Sequence, residues 1–141
     1  MTSTPKIRTD DLRLELAGPS HDLELLVQNL QTVIPTEDQV WPIYACAEKT
    51  VAKLKLRLRV ERPGIFQEIP TSKKPEQLLV LAAKRLKAGI LNMDEGRLLE
   101  SLELLRESRN HLRGYLAEKR KARLRQTRQV AVSSRSSRSP S

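Results

Sequence analysis

The amino-acid sequence predicts an α+β fold that is mostly α. Its parts are a helical hairpin with a long C-terminal helix, two further helices, a small β-hairpin and a disordered Ser/Arg tail. Three observations predict it. Leu98, Leu102, Leu105, Leu112 and Leu116 recur on one face of a 3.6-residue helix. Three shorter stretches, 20–34, 42–49 and 75–88, carry their apolar residues at the same period. Residues 12–16 and 54–60 instead alternate apolar and polar side chains, as half-buried strands do.

In chain order, Met1–Thr9 is polar and is expected to fray. Leu12, Leu14 and Leu16 alternate with Arg13 and Glu15, and Gly18-Pro19 then ends the strand. Ser20 is a good N-cap for a helix with Leu23, Leu26, Val27, Leu30, Val33 and Ile34 on one face, stopping before Pro35. Thr36-Glu37-Asp38-Gln39 has the pattern of a capping box, but Pro42 lies too deep for an undistorted helix, so a restart near Pro42 is expected. Beyond Lys49 two periods compete. Val40, Tyr44, Ala47, Val51, Leu54 and Leu58 fit a heptad. Leu54, Leu56, Leu58 and Val60 fit alternation with Lys53, Lys55, Arg57 and Arg59. The alternation puts every base on one face, which favours a strand over 52–62, turning at Pro63-Gly64 toward Ile65–Ile69. Pro75 opens the next helix, with Leu78, Leu79, Ala82, Ala83 and Leu86 on its buried side and Gly89 as a left-handed C-cap. Asn92 with Glu95 forms a capping pair for the long helix, and Arg109 interrupts its leucine stripe. The resulting division is a flexible N-terminus (1–9), a single helical α+β domain (10–118), a basic helix extension (119–129) and a disordered tail (130–141).

The formal net charge of +9 is distributed in blocks. Residues 1–48 carry 3 bases and 8 acids, 49–87 carry 11 and 3, 88–118 carry 4 and 6, and 119–141 carry 8 bases and no acid. An evenly solvated surface does not produce such blocks. No apolar run is long enough to span a bilayer and Met1–Arg8 has no hydrophobic signal region, so a cytoplasmic protein is expected, or a nuclear one in a eukaryote or virus. The single Cys46 cannot close an intramolecular disulfide, and among Tyr44, Ala45 and Ala47 it reads as a buried, unreactive thiol. His21 and His111 lie far apart, no Cys pair exists, and the five glycines stand singly, so no metal site, nucleophile elbow or phosphate loop is legible. The expectation is a non-enzyme that requires no cofactor.

Two basic segments are the candidate binding residues. On a strand, Lys53, Lys55, Arg57 and Arg59 would form a row of cations about 6.7 Å apart that could track a phosphate backbone. A solvated outer face, or an edge strand guarded by lysines, explains the same row. Lys119, Arg120, Lys121, Arg123, Arg125 and Arg128 wrap most of a helix whose only large apolar residue is Leu124, so this extension is expected to project and meet a polyanion. A nuclear-import signal or simple solubilisation would use the same cluster. Trp41 and Tyr44 are expected in the core, and with so few aromatics any nucleic acid should be read through its backbone.

Ser133-Ser134-Arg135-Ser136-Ser137-Arg138-Ser139-Pro140 resembles the serine/arginine segments of eukaryotic and viral RNA-associated proteins. The resemblance covers about ten residues and implies phosphorylation that offsets the arginines, with Ser139-Pro140 a proline-directed site. The leading expectation is a sequence-independent RNA- or DNA-binding accessory or packaging protein. The alternative is an interaction module that self-assembles, or binds a helical partner, through the stripe Leu98, Leu102, Leu105, Leu112 and Leu116.

Overall fold

The computed structural model describes residues 9–58 and 74–136, with side-chain environments over 11–58 and 74–129. Over those residues the protein is all-α, with four helices and no strand. They are α1 (Thr9–Gln28), α2 (Glu37–Leu58), α3 (Pro75–Asp94) and α4 (Leu98–Ser136). Each helix packs on two neighbours. α1 touches α2 and α3, α4 touches α2 and α3, and α1 faces α4 across the core.

Polar contacts between the helices give the directions. Gly89 meets Ser101 and Ala82 meets Ser108, Tyr44 meets Arg113 and Glu37 meets Arg123, Arg13 meets Asp94 and Glu24 meets Lys87. In each set the numbering rises on one helix as it falls on the other. α4 is therefore antiparallel to α2 and α3, and α1 is antiparallel to α3. It follows that α2 and α3 run the same way, so the end of α2 and the start of α3 lie at opposite ends of the bundle.

The α3–α4 contact is the most extensive and is built on small residues. Ser101 Oγ donates to the Gly89 carbonyl and Ser108 Oγ to the Ala82 carbonyl, each at 2.7 Å, two turns apart along the seam. Both serines are fully buried, and these bonds satisfy hydroxyls that would otherwise be costly there. Gly89 is required by the close approach, since a Cβ at that position would lie 2.9 Å from Leu105 Cδ2. It is not a C-cap. The helix continues through it, and the left-handed residue is Gly96 at φ 79°. There Arg97 N–H donates to the Asn92 carbonyl and Gly96 N–H to the Met93 carbonyl, the paired bonds of a Schellman ending. Asn92 consequently belongs to α3 and does not cap α4.

The leucine stripe of α4 fills the core. Leu102, Leu105 and Leu112 are at most 1% exposed, Leu116 is 9% exposed and Leu98 packs at the edge. Each full burial contributes roughly 1.5–3 kcal/mol. Tyr115 joins them, fully buried, and its hydroxyl donates to the Pro35 carbonyl at 2.5 Å, tying the α1–α2 connection to α4. Burial, and secondarily Glu76, push its pKa up to about 12.

Both expected strands are corrected. Residues 12–16 are helical, because Leu12 and Leu16 share a face of α1 and are buried while Leu14 is 66% exposed. Residues 52–58 finish α2, where the heptad places Val51 and Leu54 in the core and leaves Leu56 77% exposed. Burial of one helical face outweighs a local alternation that gathers only charge on the other side. The rest of the expected hairpin, with Arg59, lies outside the described residues. Pro42 does not restart α2 either. The Thr36–Gln39 box forms as read, with Thr36 N–H donating to Gln39 Oε1 at 3.0 Å, and the helix runs from Glu37 through the proline. α1 ends at Gln28, so Val33 and Ile34 are exposed and not part of its stripe. α4 extends to Ser136, which corrects the expected disorder from Val130 up to that point. A helix already nucleated adds a hydrogen bond for each further residue, so propagation is favoured over a stop without a cap.

Pro19 within α1 has a particular compensation. Having no N–H, it leaves the Glu15 carbonyl without its helical donor. Cys46 of α2 supplies one, its Sγ lying 3.4 Å from that oxygen, while Lys53 Nζ holds the Glu15 carboxylate at 3.0 Å. Burial raises the Cys46 pKa, which keeps the thiol protonated as a donor. Cys46→Ala should therefore destabilise the parent more than it destabilises the Pro19→Ala variant, in which the backbone donor is restored. Urea unfolding of the double-mutant cycle should give a coupling of about 0.5–1.5 kcal/mol; additive effects would mean that the thiol contributes packing only.

Candidate nucleic-acid interface

α4 changes character after Leu116. From Ala117 to Gln129 every residue is exposed except the half-buried Lys119, so this part of the helix has no core face. Its cations fall into two groups. Lys119 lies over the Tyr115 ring at 5.6 Å, Lys121 pairs with Glu118 at 3.5 Å, and Arg123 Nε reaches Glu37 at 3.2 Å. Arg120, Arg125 and Arg128 make no ion pair among the described residues. Exposed pairs of the first kind are worth at most about 1 kcal/mol each, so the segment keeps most of its positive potential.

The other predicted row loses its strand geometry over the described residues. On α2 successive residues turn by about 100°, so Lys55 lies on the opposite side of the helix from Lys53 and Arg57, which share a face one turn apart. Lys53 is committed to Glu15, Lys55 is half-buried, and Arg57 is exposed on the other side of the helix from Lys55. The geometry gathers the α4 cations on one solvated segment and splits those of α2 between two sides of a helix.

A feature the sequence did not announce lies where the N-terminal half of α2 meets the α4 extension. Trp41, Tyr44, Arg113, Leu116, Ala117, Arg120, Lys121 and Leu124 line an open groove of about 610 Å³. Trp41 is 58% exposed, which corrects its expected place in the core, whereas Tyr44 is 8% exposed as expected. The two rings are tilted at 43° with centroids 5.5 Å apart, so Tyr44 supports Trp41 from behind. Tyr44 is itself fixed by Arg113, whose Nε donates to the phenol oxygen at 3.3 Å and whose guanidinium also lies 3.6 Å from Glu48. Beside it the guanidinium of Arg109 is half-buried, and burial followed by repulsion from Arg113 lowers its pKa. Arg109 thus interrupts the leucine stripe by facing the α2 side of α4, away from the α3 seam.

One signal for the groove was available. Arg113, Ala117, Arg120 and Leu124 are spaced four, three and four, a second line along α4 that crosses the point where the leucine stripe ends. Trp41 likewise stands one place off the buried heptad of Val40, Tyr44 and Ala47.

Among the described residues no group of three His, Cys, Asp or Glu side chains could hold a metal ion, and no helix is long and apolar enough to cross a membrane. The only tryptophan reports the groove directly. At equal ionic strength the ratio of iodide to caesium quenching constants at Trp41 should exceed that of a free tryptophan amide, because the cationic rim concentrates anions and repels cations. Replacing Arg120 and Lys121 by Gln should bring the ratio toward the free-amide value; a parent ratio equal to that value would mean that the rim does not set the local potential. The chain matches no family model, no curated protein and no solved structure, so its function is argued from this surface chemistry.

Proposed function

We propose that the protein binds nucleic acid through the phosphate backbone, with little sequence preference, as an accessory or packaging factor. The observation that carries this reading is the solvated C-terminal half of α4, in which Arg120, Arg125 and Arg128 make no ion pair among the described residues. The helix has no buried face there, and its cations are presented on several sides, where each phosphate neutralised releases condensed counterions. Base edges are not addressed by such a helix, so affinity is to be read as electrostatic and strongly salt-dependent. Such a role belongs to a cytoplasmic or nuclear protein, and a free Cys46 is compatible with either.

Assembly through the leucine stripe draws no support from the packing. Leu102, Leu105 and Leu112 are consumed within the chain and offer a partner no face.

The test is binding of labelled RNA and duplex DNA across a salt series, with Lys119, Arg120, Lys121, Arg123, Arg125 and Arg128 replaced together by Gln in the full chain. The formal charge falls from +9 to +3 while the core is untouched. Thermal melting should change little, since exposed charges contribute little to stability. The slope of log K against log salt should become shallower by about 0.7–0.9 for each phosphate that the variant no longer neutralises. An unchanged affinity and slope would reduce the extension to a solubilising role.

A further inference from the structure

The groove beside the extension has a composition that backbone binding alone does not call for. We propose that it holds the bases of a single-stranded nucleic acid, with Trp41 as the stacking platform and Arg113, Arg120 and Lys121 at the flanking phosphates. The inference rests on the backbone-binding reading and adds the form of nucleic acid taken.

Four observations carry it. Trp41 offers an exposed aromatic plane in contact with the Tyr44 ring, whose hydroxyl accepts from Arg113. The floor is apolar, from Leu116, Ala117 and the 48%-exposed Leu124, and can receive a base without stranding its own polar groups. The volume of about 610 Å³ falls within the roughly 300–1,000 Å³ usual for small-ligand sites. The rim is cationic: its one lining acid, Glu37, is paired with Arg123 at 3.2 Å, and the neighbouring Glu48 and Glu118 are paired with Arg113 and Lys121, which leaves Arg120 as the lining cation with no ion pair among the described residues. An anionic occupant therefore meets a net positive rim.

Stacking combined with charge favours a nucleic acid over an acidic peptide. An acidic peptide would meet the same cations, but only a nucleic acid brings a flat aromatic base with each anionic charge to Trp41. A phosphate backbone that leaves the groove at Arg120 and wraps the helix meets Arg125 about 7.5 Å further along the axis and Arg128 about 4.5 Å beyond it. A duplex keeps its bases stacked inside and cannot present one to Trp41, whereas a single strand can do so for any base, because every base has a π-face. Single strands are therefore preferred over duplexes with no sequence being read.

The experiment follows Trp41 fluorescence of the full-length chain on titration with a ten-residue oligothymidylate, a duplex of equal length, heparin and polyglutamate at one low salt concentration. The oligothymidylate should quench Trp41 strongly and bind at least about tenfold tighter than the duplex, while heparin should bind with little quenching. Trp41→Ala, followed by fluorescence anisotropy of a labelled oligothymidylate, should lose about 5- to 150-fold in affinity for the single strand and little for heparin. Trp41→Phe should keep most of the affinity, and the melting temperatures of both variants should match the parent because the ring is exposed. Equal binding of single strand and duplex with unchanged Trp41 emission would overturn the groove assignment and leave the backbone reading intact. Quenching by polyglutamate equal to that by oligothymidylate would assign the groove to an acidic protein partner. Emission that depends on protein concentration without ligand would assign it to a second copy of the chain. Failure of every polyanion to bind would remove the backbone reading, and this inference with it.

Discussion

Two hydroxyl groups set the position of everything else in the bundle. Ser101 and Ser108 hydrogen-bond to α3 carbonyls where leucines would hold the helices further apart. Gly89 and Ala82 make room on the opposite side, and Leu105 fills the space that Gly89 leaves. Once α4 is seated on α3, its other faces are fixed in direction. Leu112 and Tyr115 turn into the core, Arg113 turns toward α2, and the residues after Leu116 touch only the start of α2 and stay largely exposed. The position of the groove is thus a consequence of packing on the far side of the same helix.

How much of this was legible depends on whether the deciding partner lay near or far in sequence. The stripe of α4 and the Thr36–Gln39 box were readable because local spacing alone determines them. Gly18-Pro19 was misread because the group that satisfies the orphaned Glu15 carbonyl, the Cys46 thiol, lies 31 residues from Glu15 and nothing local announces it. Gly89 was misread for a similar reason. A glycine that permits close helix contact and a glycine that ends a helix look alike until Leu105 is placed against it. Over 54–58 both periods fit the apolar residues, and only the presence of α1 and α4 beside α2 makes the heptad the buried one. The groove was hidden because Trp41 belongs to one helix and Leu124 to another, and nothing local to either says that they meet.

The charge blocks take on a physical meaning once folded. Acids and bases from different blocks are partly matched across helices, as in Arg13–Asp94, Lys53–Glu15, Arg85–Glu107 and Arg113–Glu48. These exposed pairs add little stability individually, yet they neutralise the sides of the bundle. The run after Glu118 finds only Glu118 and Glu37 as partners among the described residues. Positive potential is therefore concentrated at one end, adjacent to the one exposed tryptophan. α4 is a single helix with two physical regimes, a packed half that holds the fold and a solvated half that holds the charge.

Amide hydrogen exchange along α4 tests that division most directly. In the free protein, amides packed against α3 between Leu102 and Leu116 should exchange at rates set by global unfolding. Those from Lys119 to Arg128 should exchange several orders of magnitude faster, because an isolated helical segment of that length is marginal in water. Saturation with a single-stranded oligonucleotide should slow exchange in the second segment by far more than in the first. Uniform protection from Leu102 to Arg128 in the free protein, or no change in the extension when the oligonucleotide is bound, would contradict the account.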